Sequence, residues 1–157
     1  MKHILTLAII MASITQNIFA QNKLTTKTSA LLTAYYGIKN ALVAGDASDA
    51  NLHASQMVEA IHEIDSLKIN ADTRDEILVD ATYISKSKDI HHLRDHFARL
   101  SSNIFAVAKN MKLSEQPIYY DYCPMKKSYW LSSTASIKNP YFGSQMLTCG
   151  TISETIK

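Results

Sequence analysis

Two cysteines occur in this chain of 157 residues. Each has a methionine close by: Cys123-Pro124-Met125, then Met146-Leu147-Thr148-Cys149-Gly150. Thiolate and thioether sulfur select soft cations. Cys123, Met125, Met146 and Cys149 gathered by one segment would therefore suit Cu(I) or Ag(I). Cys-x-Met in an extended stretch places both side chains on one face of a strand, and Met-x-x-Cys fits a single turn. Trp130 and the tyrosines nearby would shield such an ion from water. The same cysteines would equally form a Cys123–Cys149 disulfide, with the methionines in apolar contact around it. Closing that loop would contribute on the order of 3 kcal/mol in the chain-entropy model. The residues leave both readings open, and the two states would interconvert if the reduced form is the one that takes the metal.

Histidines supply the next candidates. His92 and His96 are four apart, a spacing that clamps a metal when the pair faces a third ligand. Neither sits at the centre of an apolar stripe, which favours a solvated helix edge instead. His91 points to the opposite side. His53 and His62 are nine apart and fall on nearly opposite sides of a helix, so a straight helix cannot aim both at one ion. Tyr119, Tyr120, Tyr122, Tyr129, Trp130, Tyr141 and Phe142 would line a ligand pocket or cement a small β unit to helices. Packing is the commoner use of such residues. Nothing points to catalysis. The chain has no Gly-rich phosphate loop, no Gly-x-Ser-x-Gly, no His-Glu-x-x-His and no Cys-x-x-Cys. Asp72, Asp75 and Glu76 read as an acidic helix start, and Asp80 and Asp89 as solvent or cap residues.

The elements that must position these residues are mostly helical. The first helix is expected from about Ser29 to Ala44, with Leu31, Tyr35, Ile38 and Leu42 on one stripe and Gly45 as its stop. Asp46 or Ser48 caps a second, whose stripe is Ala50, Ala54, Met57, Ile61 and Ile64. Thr73-Arg74-Asp75-Glu76 has the pattern of a capping box for a third, with Ile77, Ala81 and Ile84 inward. A fourth opens near Asp89 and buries Ile90, Leu93, Phe97, Leu100, Ile104 and Met111. Short connections between amphipathic helices predict an antiparallel four-helix bundle over residues 29–112. From Pro117 the character changes. Ile118 to Tyr122 and Ser128 to Ser132 are strand formers, and Asn139-Pro140-Tyr141-Phe142-Gly143 is turn chemistry. Residues 117–157 are read as a small β-rich cap too short to fold alone. The fold class is mainly α, one domain over 29–157.

The N-terminus sets the expected compartment. A basic start, the apolar run Ile4 to Ile14 and Ile18-Phe19-Ala20 before Gln21 form the three parts of a secretory signal peptide over residues 1–20, cut after Ala20. The run is too short to span a bilayer. Residues 21–28 are polar and read as a flexible leader. A periplasmic or secreted protein without membrane insertion follows. A formal charge of +2 gives no electrostatic reason to hold nucleic acid. An oxidising compartment and an even cysteine count permit the disulfide.

The C-terminal motifs are more specific. Tyr122-Cys123-Pro124-Met125, Tyr129-Trp130-Leu131-Ser132, Ile137 to Gly143 and Met146 to Gly150 together resemble domain-of-unknown-function family 3347. Leu31 to Tyr36, Lys39 to Val43 and Arg94 to Ser101 are similar to its helical part. The resemblance covers essentially the whole mature chain. Members are exported proteins of Bacteroidetes, and the domain is also found fused to membrane-fusion subunits of copper and silver efflux pumps. The resemblance therefore implies soft-metal handling, with an efflux adaptor or another envelope protein as partner. The chain departs from the family in its second helix. His53, Met57 and His62 stand there, where members often have small, alanine-rich faces.

Overall fold

The computed structural model describes residues 27–65 and 68–157. The expected signal peptide and residues 21–26 of the leader lie outside the described residues. Lys27 and Thr28, assigned to the leader from sequence, are instead the first described residues of a helix, α1, over 27–44. It is followed by α2 (Ala47–Glu63), α3 (Ala71–Ile84), α4 (Ile90–Asn110), β1 (Ile118–Cys123), β2 (Ser128–Ser132), a short 3-10 turn (Gly143–Gln145) and β3 (Thr151–Ile156).

Local chemistry sets the helix ends. Gly45 adopts φ +78°, which a residue with a Cβ resists, and α1 stops there. Asp46 caps α2 by accepting from the Asp49 amide at 2.9 Å. Asp89 caps α4 by accepting from the His91 amide at 2.9 Å. The start of α3 differs from expectation. Asn70 is the cap, bonded to the amides of Asp72 and Thr73. The short Asn side chain reaches both free amides, so Thr73 falls inside the first turn.

The four expected stripes face one core. Leu31, Tyr35, Ile38 and Leu42 are buried with Ala50, Ala54, Met57 and Ile61, with Ile77, Ala81 and Ile84, and with Leu93, Phe97, Leu100 and Ile104. Ile90 and Met111 pack at its margin. Polar ties join the helix ends. Lys27 donates to the Glu63 carbonyl at 2.6 Å, Asn51 to that of Ser87 at 2.8 Å, and Arg74 to that of Ile64 at 3.1 Å. The free carbonyls of a helix C-terminus are thereby satisfied by side chains.

The sheet has the order β2-β1-β3 and is antiparallel throughout. Sequence reading gives two of its strands. The third, Thr151–Ile156, is an exposed edge strand, and the pairing with β1 slips between Tyr120 and Asp121. One face of β1 and β2 lies on α4, where the Tyr120 ring stacks on Phe105 with centroids 3.6 Å apart. The other face carries Asp121, Trp130 and Cys123 by strand alternation. The molecule is thus mainly helical, with a small three-stranded sheet at its C-terminal end. No helix among the described residues is long and apolar enough to cross a membrane.

Candidate metal centre

Cys123 closes β1, and Cys149 follows a turn in which its amide donates to the Met146 carbonyl at 3.0 Å. The loop between β2 and β3 folds back so that Cys149 comes alongside Cys123, one buried side-chain amide, that of Asn139, bonding to both residues. Both are free thiols, Cys123 buried and Cys149 half-buried. Asn139 organises this return. It is fully buried, and its side-chain amide donates to Cys123 Sγ at 3.2 Å and to the Cys149 carbonyl at 2.7 Å. Its backbone amide donates to the Leu147 carbonyl at 2.8 Å, and its Oδ1 accepts from the Tyr141 amide at 2.8 Å.

Gly150 makes the close approach possible. A Cβ there would stand 2.7 Å from Trp130 Cη2 and 3.0 Å from the Tyr122 carbonyl oxygen, and the backbone has φ +153°. Any side chain would force Cys149 away from β1. Gly143 has a similar role at φ +54°, where a Cβ would lie 2.8 Å from the Val43 carbonyl oxygen of α1.

The electrostatics suit a soft cation. Cys123 Sγ accepts from the Lys126 amide at 3.4 Å as well as from Asn139. Desolvation, followed by the charge and hydrogen bond of Cys123, pushes the Cys149 thiol up from its ordinary value. Two adjoining sulfurs resist joint ionisation, and a monovalent soft cation between them would remove that resistance.

The methionines stand apart from the thiols in their exposure. Met125 is 62% exposed and Met146 40%. The histidine pair has other partners. His92 is exposed, with Nδ1 3.6 Å from Asp89 Oδ2 and 3.5 Å from the Tyr83 hydroxyl. His96 stacks on Tyr83 with centroids 3.6 Å apart, and its Nδ1 lies 2.7 Å from Asp80 Oδ1. Arg99 donates to the same oxygen at 2.7 Å. Asp80 is therefore not the solvent or cap residue expected from sequence. It is a buried carboxylate of α3 whose Oδ1 meets His96 and Arg99 of α4. His53 lies over Gly37, where a Cβ on the glycine would meet its ring at 2.3 Å. No group of three or more His, Cys, Asp or Glu side chains converges among the described residues.

Most of the aromatic residues serve packing. Tyr120 stacks on Phe105 and Tyr129, and Trp130 meets Tyr141 edge-on. Sequence reading gives no buried role to Asp121, Lys39, Ser101 or the amide hub Asn139. Asp121 and Lys39 belong to patterns that read as strand alternation and helix surface, and only tertiary packing covers them.

No curated protein and no solved structure matches this chain. Residues 31–116 match the family described as "Protein of unknown function (DUF3347)". The matched stretch runs from α1 to the residue pair before β1 and stops short of the cysteine-bearing cap. The chain belongs to the DUF3347 family.

Proposed function

Starting from membership in a family of unknown function, we propose that this protein is an exported, periplasmic binder of Cu(I) or Ag(I), acting in heavy-metal homeostasis or efflux. The single observation that carries this reading is the return of Cys149 to the side of Cys123, both bonded by the Asn139 amide, with two N–H donors aimed at the Cys123 sulfur. Two thiolates are a sufficient donor set for a soft monovalent ion. Met125 and Met146, both exposed, would act as entry or exchange ligands. The half-buried Cys149 gives an incoming ligand access, so the metal would pass by ligand exchange to an efflux adaptor or another envelope protein. The four helices would pack as an antiparallel bundle that holds the cap. No catalytic step is proposed.

A second reading is favoured by the same adjacency. Neighbouring thiols in an oxidising compartment would form a disulfide, and exposed methionines are not needed for it. The protein would then be a stapled interaction module of an envelope or efflux complex.

Anaerobic Cu(I) titration of the purified chain, with thiol counting before and after mild reduction, separates the two. The metal reading expects stoichiometric binding that disappears in the Cys123→Ser, Cys149→Ser double variant. Absence of free thiol as isolated, resistance to mild reduction and no competitive Cu(I) uptake would leave the stapled module.

A further inference from the structure

Among the described residues, three buried side-chain atoms have no hydrogen-bond partner: both carboxylate oxygens of Asp121 and the indole nitrogen of Trp130. Both residues are 0% exposed. They are not scattered. Asp121 and Trp130 are direct cross-strand partners in β1 and β2, so their side chains leave the same face of the sheet with Cβ atoms roughly 5 Å apart. Lys39 of α1 is buried as well, 5% exposed. Its charge acts on Asp121 without hydrogen-bonding to it. Tyr36, three residues earlier on α1, also feels the charge of that carboxylate.

Burying a carboxylate or an indole N–H without a partner costs about 1–3 kcal/mol per group, and more when the group is charged. Native proteins leave few such groups, and the usual remedy is an internal water with two to four polar partners. The identity of the missing partner follows from the donor and acceptor set. A metal cation would face the Lys39 ammonium and the Trp130 N–H. An anion would face Asp121. A small neutral molecule that both donates and accepts fits all of them.

We infer that Asp121, Trp130 and Lys39 enclose a bound water that bridges α1 to the sheet, on the face from which Cys123 projects. The water donates to Asp121 and accepts from Trp130 Nε1 or Lys39 Nζ. It joins the first helix to the central strand where no direct side-chain bond does so.

Trp130 is the only tryptophan, so its indole N–H gives one unambiguous resonance in the nitrogen-15-labelled full chain. A rotating-frame experiment should show a cross-peak between that proton and water, with the sign of dipolar transfer rather than of exchange. It should persist in Tyr36→Phe, which removes the nearest hydroxyl relay. It should vanish in the Lys39→Met, Asp121→Leu double variant, judged folded by its amide dispersion. A wild-type chain without the cross-peak, its loss in Tyr36→Phe, or its survival in the double variant would each overturn the inference. Should the double variant not fold, a crystal structure of the wild-type chain decides. Density bridging Asp121 and Trp130 supports the water, and a direct Lys39–Asp121 contact with no such density removes it.

Discussion

Replacing Tyr35 by Phe isolates one atom that holds the sheet to the helices. The Tyr35 hydroxyl is fully buried, 2.7 Å from Ser101 Oγ on α4, and it accepts from the Leu131 amide on β2 at 2.9 Å. β2 is an edge strand, so no further strand lies beyond it to take an outward amide. Phenylalanine keeps the ring, and with it the stack on Phe97 at 5.1 Å. Only the oxygen goes. Ser101 retains a partner in the Tyr141 hydroxyl, so the stranded group is the Leu131 N–H. A buried donor left unpaired costs about 1–3 kcal/mol. With a urea m-value of about 2 kcal/mol per molar, a loss of ~2 kcal/mol lowers the midpoint by about 1 M. Equilibrium urea unfolding followed by Trp130 fluorescence reads this directly, and m should not change. Ser101→Ala should cost a comparable amount, about 1–3 kcal/mol, because it leaves the buried Tyr35 O–H without its acceptor. A midpoint for Tyr35→Phe within the error of wild type would refute the reasoning, since the edge amide would then have found water or another acceptor. A changed m-value would point to a loosened native state in place of a lost bond.

Two further predictions follow from the cap. Gly150→Ala should destabilise by about 1–3 kcal/mol through overpacking against Trp130 and the Tyr122 carbonyl, and it should weaken Cu(I) uptake by displacing Cys149. Normal Cu(I) affinity alongside a clear loss of stability would show that the metal reading does not depend on this loop. Burial, only partly offset by Lys39, pushes the Asp121 carboxyl up from 3.8 to about 7. The folded chain then binds more protons than the unfolded chain between those two values. Its stabilising contribution is complete below the lower value and is lost as pH rises through the upper one. Asp121→Asn should flatten the fall in urea midpoint across this window, and an unchanged slope would assign the pH dependence to other groups.

Helix periodicity was readable because burial and sequence share a period: every residue of the α2 and α3 stripes is in the core. The start of α3 was misplaced because Thr73 to Glu76 carries a capping pattern of its own, and Asn70 outcompetes it by reaching two amides. β3 was missed for a different reason. Its residues are largely exposed, so Thr151 to Ile156 lack a buried face to announce them, and pairing with β1 alone defines the strand. The cysteines were legible as a pair, but their contact was not, because it depends on Asn139 folding a long loop back by 16 residues onto Cys123. Asp80 looked like a surface acid, since its partners His96 and Arg99 lie 16 and 19 residues away on the next helix.

Those long-range ties also explain how a match confined to the helices bears on the cap. The matched residues end before β1, yet the side chains that seat the cap lie within them. Tyr35 holds the edge of β2, and Ser101 supports Tyr35 and Tyr141. Arg94 donates to the Pro140 carbonyl at 2.9 Å and to the Leu42 carbonyl at 3.1 Å, joining the turn of the cap to the end of α1. Lys39 sets its charge against Asp121. All four belong to the helical stretches that resemble the family, Leu31 to Tyr36, Lys39 to Val43 and Arg94 to Ser101. A helix surface that carries a buried tyrosine hydroxyl, a buried lysine and an arginine aimed at a carbonyl is costly unless something polar covers it. The sheet and its returning loop are that cover. The distance between Cys123 and Cys149 is therefore set by the helices as much as by the cap, and a soft-metal site built there would inherit its geometry from residues that never touch the metal.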